Sequence, residues 1–446
     1  MTEYLFMKKV LILGAGMVVK PMVHHLLDNN IDVTLASRTR AKADKILEGY
    51  SSGSSIEWTV DQSDLLDELV RTHDLVVSLL PYTHHVTVAE RCIAHRKNML
   101  TTSYVSPEMK ALDARACEAG IIILNEIGVD PGYDHMTAME IIERVHGKDG
   151  KVDEFYSLCG ALCAPEASDN PFRYKFSWSP KGVVMASNNG ARFLKEGQVV
   201  ELDTSDVFKN PLEIEFPDVE RMHVYPNRDS LSYIELYGIP EVKTMYRGTF
   251  RYDRWCAAMD LLKALNLTAY QELDFKDKTY AGITAELNGF NPGTLMEDIM
   301  QKFKLNNDDP ALMAIEWLGI LDNEPISLEK GSAFDLTSDL MIKKMMMTEE
   351  ERDMVIMQHI FHVSWPDGKK EKIVSRMLDY GDGTYTSIAR TVALPAAIGV
   401  RLILDGKIKE IGVQIPLKRT IYEPVLKELA ILGISMSESS EQLPNP

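Results

Sequence analysis

Basic residues are in short supply in this 446-residue sequence: 48 Lys and Arg face 66 Asp and Glu, giving a formal net charge of −18. Binding to a nucleic acid or an anionic membrane draws on counterion release by clustered cations, so neither partner is expected. Any acidic ligand must be held by a few local arginines. Cysteines are also few. Cys92, Cys117, Cys159, Cys163 and Cys256 are odd in number and irregularly spaced, which excludes a disulfide framework and predicts a reducing, cytoplasmic setting. Cys159 and Cys163 form a CxxxC pair, but no second Cys or His pair follows at ligand spacing, so no metal site is expected. No uncharged apolar run approaches the ~18 residues of a membrane helix. The opening MTEYLFMKKV carries Glu3 and leads straight into a strand pattern, so no signal peptide is expected. Internal repeats and low-complexity segments are absent.

A chain this long exceeds one ordinary core, and its pattern changes after about residue 135. Up to there, strand and helix patterns alternate. Val10 to Leu13 runs into Gly14 and Gly16, after which Met17 to Asp28 reads as a helix with Met22, Val23, Leu26 and Leu27 on one face. Gly14 permits a tight turn, and Gly16 lets a pyrophosphate approach backbone N–H groups at the helix start. The third glycine position of such a fingerprint holds Val19. The next strand, Asp32 to Ala36, ends at Ser37 and Arg38, where an NAD site places Asp or Glu. A hydroxyl and a guanidinium suit a 2′-phosphate, so NADP(H) is the expected cofactor.

DLVVSLLP at Asp74, NMLTTS at Asn98 and IIILNE at Ile121 read as strands buried on both faces of a parallel sheet. Helices over Val86 to His95 and Pro107 to Ala119 separate them. This predicts an α/β fold: a Rossmann-type doubly wound sheet over residues 1–134. Residues 151–164 and 222–254 read as strands and turns, Trp255 to about Glu350 as helical, and a hairpin starts at Asp353. Ile388 to Leu404 reads as a buried helix, and residues 391–446 are expected to pack back on the first domain, with SESSEQLPNP as a mobile tail.

Some conspicuous residues have plain explanations. His359 and His362, three apart on a strand, point to opposite faces and cannot share a metal. Met345 to Met347 suit a core or interface, and Thr348 with Glu351 reads as a capping box. His84 and His85 follow the fourth strand, where either can simply be solvated.

The strand ends hold the residues suited to chemistry. Ser103, Tyr104 and Asp130 offer hydroxyls and a carboxylate for proton transfer, although Asp130 also suits a turn and Tyr104 a core. Arg228 in YPNRDS and Arg251 in RGTFRY suit carboxylate recognition, with surface ion pairing as the alternative.

GAGMVVKP, SRT, SLLPYTHH, TTSYVSP, NEIGVDPGYDH, CGALCAPEASDNPFRYKFSWSPKG, YPNRDS and RGTFRY, with the later LDYG and TVALPAAIG, resemble the saccharopine dehydrogenase (NADP, L-glutamate-forming) family, also called saccharopine reductase. The resemblance spans nearly the whole chain and implies a mixed-sheet α+β substrate domain over residues 135–390 with a helical subdomain at about 255–350. It implies reductive condensation of L-glutamate with 2-aminoadipate 6-semialdehyde, and the reverse oxidation, by a homodimeric enzyme of lysine metabolism acting on small amino-acid substrates. Cofactor contacts are implied at Gly14, Ala15, Gly16, Met17, Val18, Ser37, Arg38, Thr39, Thr59, Val60, Leu80 and Pro81. Gly128, Val129, Asp130, Pro131 and Trp178 fall near the nicotinamide end. Substrate contacts are implied at Thr102, Ser103, Arg228, Thr249, Phe250 and Arg251, while Tyr104, Asp130 and Cys159 line the semialdehyde site. Asp130 is the expected proton shuttle, assisted by Tyr104 or Cys159. Ser37 stands where members often have Cys, and Thr59 where many have Asp. A carboxynorspermidine dehydrogenase-like enzyme would need acidic residues where Arg228 and Arg251 stand. A non-enzymatic NADP(H)-sensing scaffold leaves the second-domain segments without a role.

Overall fold

The computed structural model describes residues 7–444. They divide into two compact units: one runs to Gly147 and resumes at Gly381–Ser437, and the other comprises Lys148–Tyr380 with the stretch from Glu438. The expected boundaries at 134 and 390 are corrected accordingly. Helix Tyr133–His146 belongs to the first unit, because Met136, Ile141, Ile142 and Val145 leave the core no natural break before Gly147.

The first unit is built on β1 (Lys9–Leu13), β2 (Asp32–Ser37), β3 (Gly53–Glu57), β4 (Leu75–Ser78), β5 (Asn98–Leu100) and β6 (Ile122–Leu124). From one edge the order is Gly412–Gln414, β6, β5, β4, β1, β2, β3, with every pairing parallel. Val10 to Leu13 and Leu75 to Ser78 have no exposed surface, as continuous apolar strands covered on both faces require. This is the doubly wound sheet that the sequence predicts. The winding reverses between β1 and β4, which opens a crevice at their carboxyl ends.

Helix α1 (Lys20–Asp28) begins three residues later than its apolar periodicity suggests, because Gly14 to Val19 form the turn and Pro21 occupies the first helical turn. Val19 is fully buried, so the missing third glycine is a core position here. The expected Pro107 to Ala119 helix is interrupted and becomes Pro107–Lys110 and Asp113–Ala119; Met109 N donates to Ser106 Oγ at 3.1 Å, which caps the first. Helix Ser387–Leu404 is long and apolar enough to cross a membrane, but it is mostly buried in the first unit and packs on α1.

The second unit holds a nine-stranded mixed sheet. Its β7 (Lys151–Cys163) pairs parallel with Thr244–Arg251 and antiparallel with Asp353–Ser364, which forms the expected hairpin with Lys370–Tyr380. Five helices between Trp255 and Met345 form the expected helical part. Two local expectations are corrected. Thr348 N does donate to Glu351 Oε2 at 2.9 Å, but the bond closes a turn and no helix follows. Ser437–Leu443 is an edge strand beside Lys370–Tyr380, not a mobile tail on the first unit.

Candidate active site

The glycine turn after β1 is shaped for a ligand. Gly14 sits at φ +112°, and a Cβ there would lie 2.9 Å from the Leu79 carbonyl oxygen, so a side chain would be strained and pushed against the end of β4. A Cβ on Gly16 would meet nothing within 4 Å, which leaves open space above the backbone. No side chain caps the N-terminus of α1. Backbone N–H groups facing an open cradle at a helix start suit a pyrophosphate. At the end of β2, Ser37 is buried and its Oγ accepts from Thr39 N at 3.2 Å, whereas Arg38 is exposed and forms no ion pair among the described residues. The guanidinium is available for a phosphate, and the cradle fits NADP(H). Thr59 N donates to Gln62 Oε1 beside the exposed Val60, and Leu80 and Pro81 follow β4 with accessible surface.

The loops after β5 and β6 bring two predicted residues together: Tyr104 Oη donates to Asp130 Oδ1 at 2.9 Å, and both are half-buried. A phenol and a carboxylate at this distance can pass a proton between them and toward a ligand. Gly132, at φ +144°, closes the Asp130 loop; a Cβ there would come within 2.3 Å of Gly128 N. Thr102 packs against Gly128, while Val129 and Pro131 are buried and shape the loop without exposing much side chain.

Three supporting residues went unread as such in the sequence. Glu126 adopts a left-handed backbone with φ +57°, which turns its carboxylate inward. Its Oε1 accepts from Val105 N at 2.9 Å, and its Oε2 lies 2.8 Å from Nε2 of the fully buried His135. Asp134 Oδ1 accepts from Gly132 N at 2.6 Å, and its Oδ2 lies 3.6 Å from His135 Nδ1. Glu126, His135 and Asp134 thus tie the Tyr104 loop to the Asp130 loop. The segment GVDPGYDH stood out at a strand end, but only its closure in space shows that its last two residues brace the others.

His85 is not solvated. It is buried at the start of helix His85–His95, with Nδ1 2.8 Å from Ser78 Oγ and Nε2 2.8 Å from Ser103 Oγ. Burial, assisted by the neighbouring His84, pushes its pKa down to about 4. The folded state therefore binds fewer protons than the unfolded chain between about pH 4 and 6.5, so His85 contributes stability that is complete above pH 6.5 and lost as pH falls toward 4. The full effect is on the order of 3 kcal/mol. Urea unfolding of the wild type and of His85→Gln across this range should show a shallower acid loss in the variant; parallel pH curves would count against it.

In the second unit, Arg251 is 4% exposed and ends the strand Thr244–Arg251. Its guanidinium carbon lies 4.9 Å from the Tyr174 ring centre, 5.7 Å from Tyr225 and 5.4 Å from Trp255. Nη1 donates to the Phe250 carbonyl at 2.8 Å, Nε has no partner, and no carboxylate pairs with it among the described residues. A buried cation without a counter-ion is costly unless a ligand supplies one. The surface ion-pair explanation therefore fails for Arg251. Cys159 on β7 is in register with Thr249, and Thr249 with Tyr225, so the three share one sheet face. Phe250 points the other way, fully buried and edge-on to Phe216 at 5.7 Å, so its implied substrate contact is corrected: only its backbone is left for one. Arg228 is exposed in a left-handed turn with φ +53°, and Trp178 is half-buried. Among the described residues no group of His, Cys, Asp and Glu is arranged to hold a metal.

Comparison with known proteins bears on what these groups serve. The family model described as Saccharopine dehydrogenase NADP binding domain matches residues 10–124, and that described as Saccharopine dehydrogenase C-terminal domain matches residues 128–434. The chain belongs to the saccharopine dehydrogenase family. The saccharopine dehydrogenase [NADP(+), L-glutamate-forming] of Pyricularia oryzae is 38% identical over 95% of this chain and 96% of its own length. The structure of apo saccharopine dehydrogenase (L-Glu forming) from Saccharomyces cerevisiae superposes with a TM-score of 0.89 at 34% identity, covering 97% of this chain and all of that one. A carboxynorspermidine synthase from Vibrio cholerae is 24% identical over 60% of this chain. Within the saccharopine dehydrogenase family, the cradle after β1 belongs to the NADP binding domain and Arg251 to the C-terminal domain.

Proposed function

We propose that this member of the family interconverts saccharopine with L-glutamate and 2-aminoadipate 6-semialdehyde, using NADP(H). It is an oxidoreductase. The observation that carries the substrate reading is Arg251: a buried guanidinium with aromatic walls and no protein counter-ion suits a carboxylate, and saccharopine has three. A diamine would meet a like charge there, which disfavours the carboxynorspermidine alternative. A sensing scaffold would have no use for the Tyr104–Asp130 pair.

NADP(H), held by the Gly14 to Val18 turn and by Arg38, supplies or accepts the hydride when bound. The chain's own residues do the rest. In the second unit Arg251, with Arg228 and Thr249, suits substrate carboxylates, and in the first unit Thr102 and Ser103 offer hydroxyls to substrate; each such contact fixes orientation, which removes part of the entropic barrier. Asp130 takes a proton at Oδ1 or Oδ2 during carbinolamine formation and dehydration, and Tyr104 Oη passes it on. Cys159 contributes a neutral wall on the Thr249 side. Homodimer formation and a cytoplasmic setting belong to the same reading, and light scattering should give the mass of two chains.

The assay is saccharopine with NADP, then with NAD, followed by absorbance of the reduced nicotinamide, beside aspartate semialdehyde plus a diamine with NADPH. Turnover with saccharopine and NADP is expected; activity on the diamine pair alone would overturn the reading. Arg38→Ala should weaken NADPH selectively, by roughly 1.5 to 3 kcal/mol for one charge-assisted hydrogen bond. Binding titrations with equal losses for NADPH and NADH would remove Arg38 from the phosphate site.

A further inference from the structure

The strand pairing of β5 with β6 ends at Leu100 and Leu124, so the two loops beyond it need other ties if Tyr104 is to meet Asp130. Glu126 supplies two, one on each side of Tyr104. Its N–H donates to Ser103 O at 3.2 Å, and its Oε1 accepts from Val105 N at 2.9 Å. It makes both from a left-handed backbone, φ +57°, a conformation that is costly for a glutamate and persists only where the surroundings fix it.

The other carboxylate oxygen reaches the second loop. Oε2 lies 2.8 Å from His135 Nε2, in the first turn of helix Tyr133–His146. The Asp130 loop is fastened to that same turn: Tyr133 N donates to Gly128 O at 2.9 Å, Asp134 N to Val129 O at 3.0 Å, and Gly132 N to Asp134 Oδ1 at 2.6 Å. Glu126 is 6% exposed and His135 has no exposed surface, so water does not compete for these bonds. One buried carboxylate thus joins the backbone beside the phenol to the helix that carries the Asp130 loop.

We propose that Glu126 is a positioning residue for proton transfer, and that the reach of its side chain, not its charge, sets the 2.9 Å contact between Tyr104 Oη and Asp130 Oδ1. The proposal rests on the shuttle role given to that pair above. Proton transfer needs hydrogen-bond distance, and a misplacement of about 1 Å can cost up to ~10²-fold in rate. Here the loss is bounded by what Tyr104 contributes, because the Asp130 loop is also closed by its own bond from Gly128 N to Pro131 O at 2.9 Å.

Two substitutions separate reach from charge. Glu126→Asp keeps the charge and tolerates a left-handed backbone, but falls a methylene short of spanning Val105 N and His135 Nε2 together. Glu126→Gln loses the charge and keeps the span: its oxygen accepts from Val105 N, and its amide donates to His135 Nε2 once the imidazole carries its proton on Nδ1, 3.6 Å from Asp134 Oδ2.

With saccharopine and NADP, Glu126→Asp should lower kcat about five- to tenfold with KM for NADP unchanged, and Glu126→Gln should stay within about twofold of the wild type. In a Tyr104→Phe background, Glu126→Asp should add less than about twofold, because the phenol it places is gone. A readout without turnover comes from the full chain labelled with 13C at tyrosine Cζ, the Tyr104 signal being the one lost in Tyr104→Phe. That signal should move in Glu126→Asp, as it does in Asp130→Asn, and hold in Glu126→Gln. The opposite ranking of the two substitutions, equal effects of both, or losses that multiply with that of Tyr104→Phe overturn the proposal. Absence of any wild-type turnover with saccharopine overturns the substrate reading instead, and the Tyr104 signal then decides whether Glu126 sets the contact.

Discussion

Asp130→Asn is expected to lower turnover by about 100-fold or more while leaving NADPH affinity nearly intact, because a general acid–base group contributes on the order of 10² to 10⁴ in rate. The asparagine keeps the shape and can still accept from Tyr104 Oη, which donates to the native carboxylate at 2.9 Å. What it cannot do is take up a proton. Tyr104→Phe should cost less, about tenfold, since Asp130 remains and water can replace the phenol. Steady-state kinetics across pH, with NADPH binding measured separately, discriminate the roles. Turnover of Asp130→Asn close to wild type at every pH would reduce Asp130 to a turn-forming residue.

Arg251→Met should raise KM for saccharopine and for glutamate at least tenfold, following the roughly 1.5 to 3 kcal/mol that a charged hydrogen bond contributes. Its effect on stability should have the opposite sign. A guanidinium that is 4% exposed and has no carboxylate partner carries an uncompensated desolvation cost, which an apolar side chain of similar length removes. The thermal midpoint is therefore expected to hold or rise as substrate binding worsens. A fall in both would mark Arg251 as a structural residue of the core around Trp255. Arg228→Met, at an exposed position screened by solvent, should change KM by only about two- to fivefold.

Much of the site is a strand-end property, and strand ends can be read locally. The turn after β1, the absence of an acid after β2 and the loops at Ser103 and Asp130 follow from apolar runs that stop at Gly, Ser or Pro. The boundaries that were misplaced have one cause: periodicity reports which residues are apolar, not which core they enter. Helix Tyr133–His146 and strand Ser437–Leu443 were therefore assigned to the wrong neighbours. Phe250 shows the same limit at one residue's scale. Its neighbours Thr249 and Arg251 face one side of the strand, and pleating sends Phe250 to the other.

The sequence by itself determined the chemistry available: an acidic chain with few arginines to bind an acid, a glycine turn suited to a pyrophosphate, and at Arg38 a guanidinium, not an acid, after the second strand. It also determined the family, through long ordered segments. Only the tertiary structure decided protonation and pairing. His85 is two polar nitrogens on any local reading, and becomes a neutral bridge because β4 and the loop after β5 close over it with Ser78 and Ser103. Arg251 has acids within a few residues in the sequence, Asp253 and the more distant Glu241 among them, yet it faces Tyr174, Tyr225 and Trp255. Charge and hydrogen bonding depend on distance and dielectric in three dimensions, and neither is set until the strands have paired and the water has left.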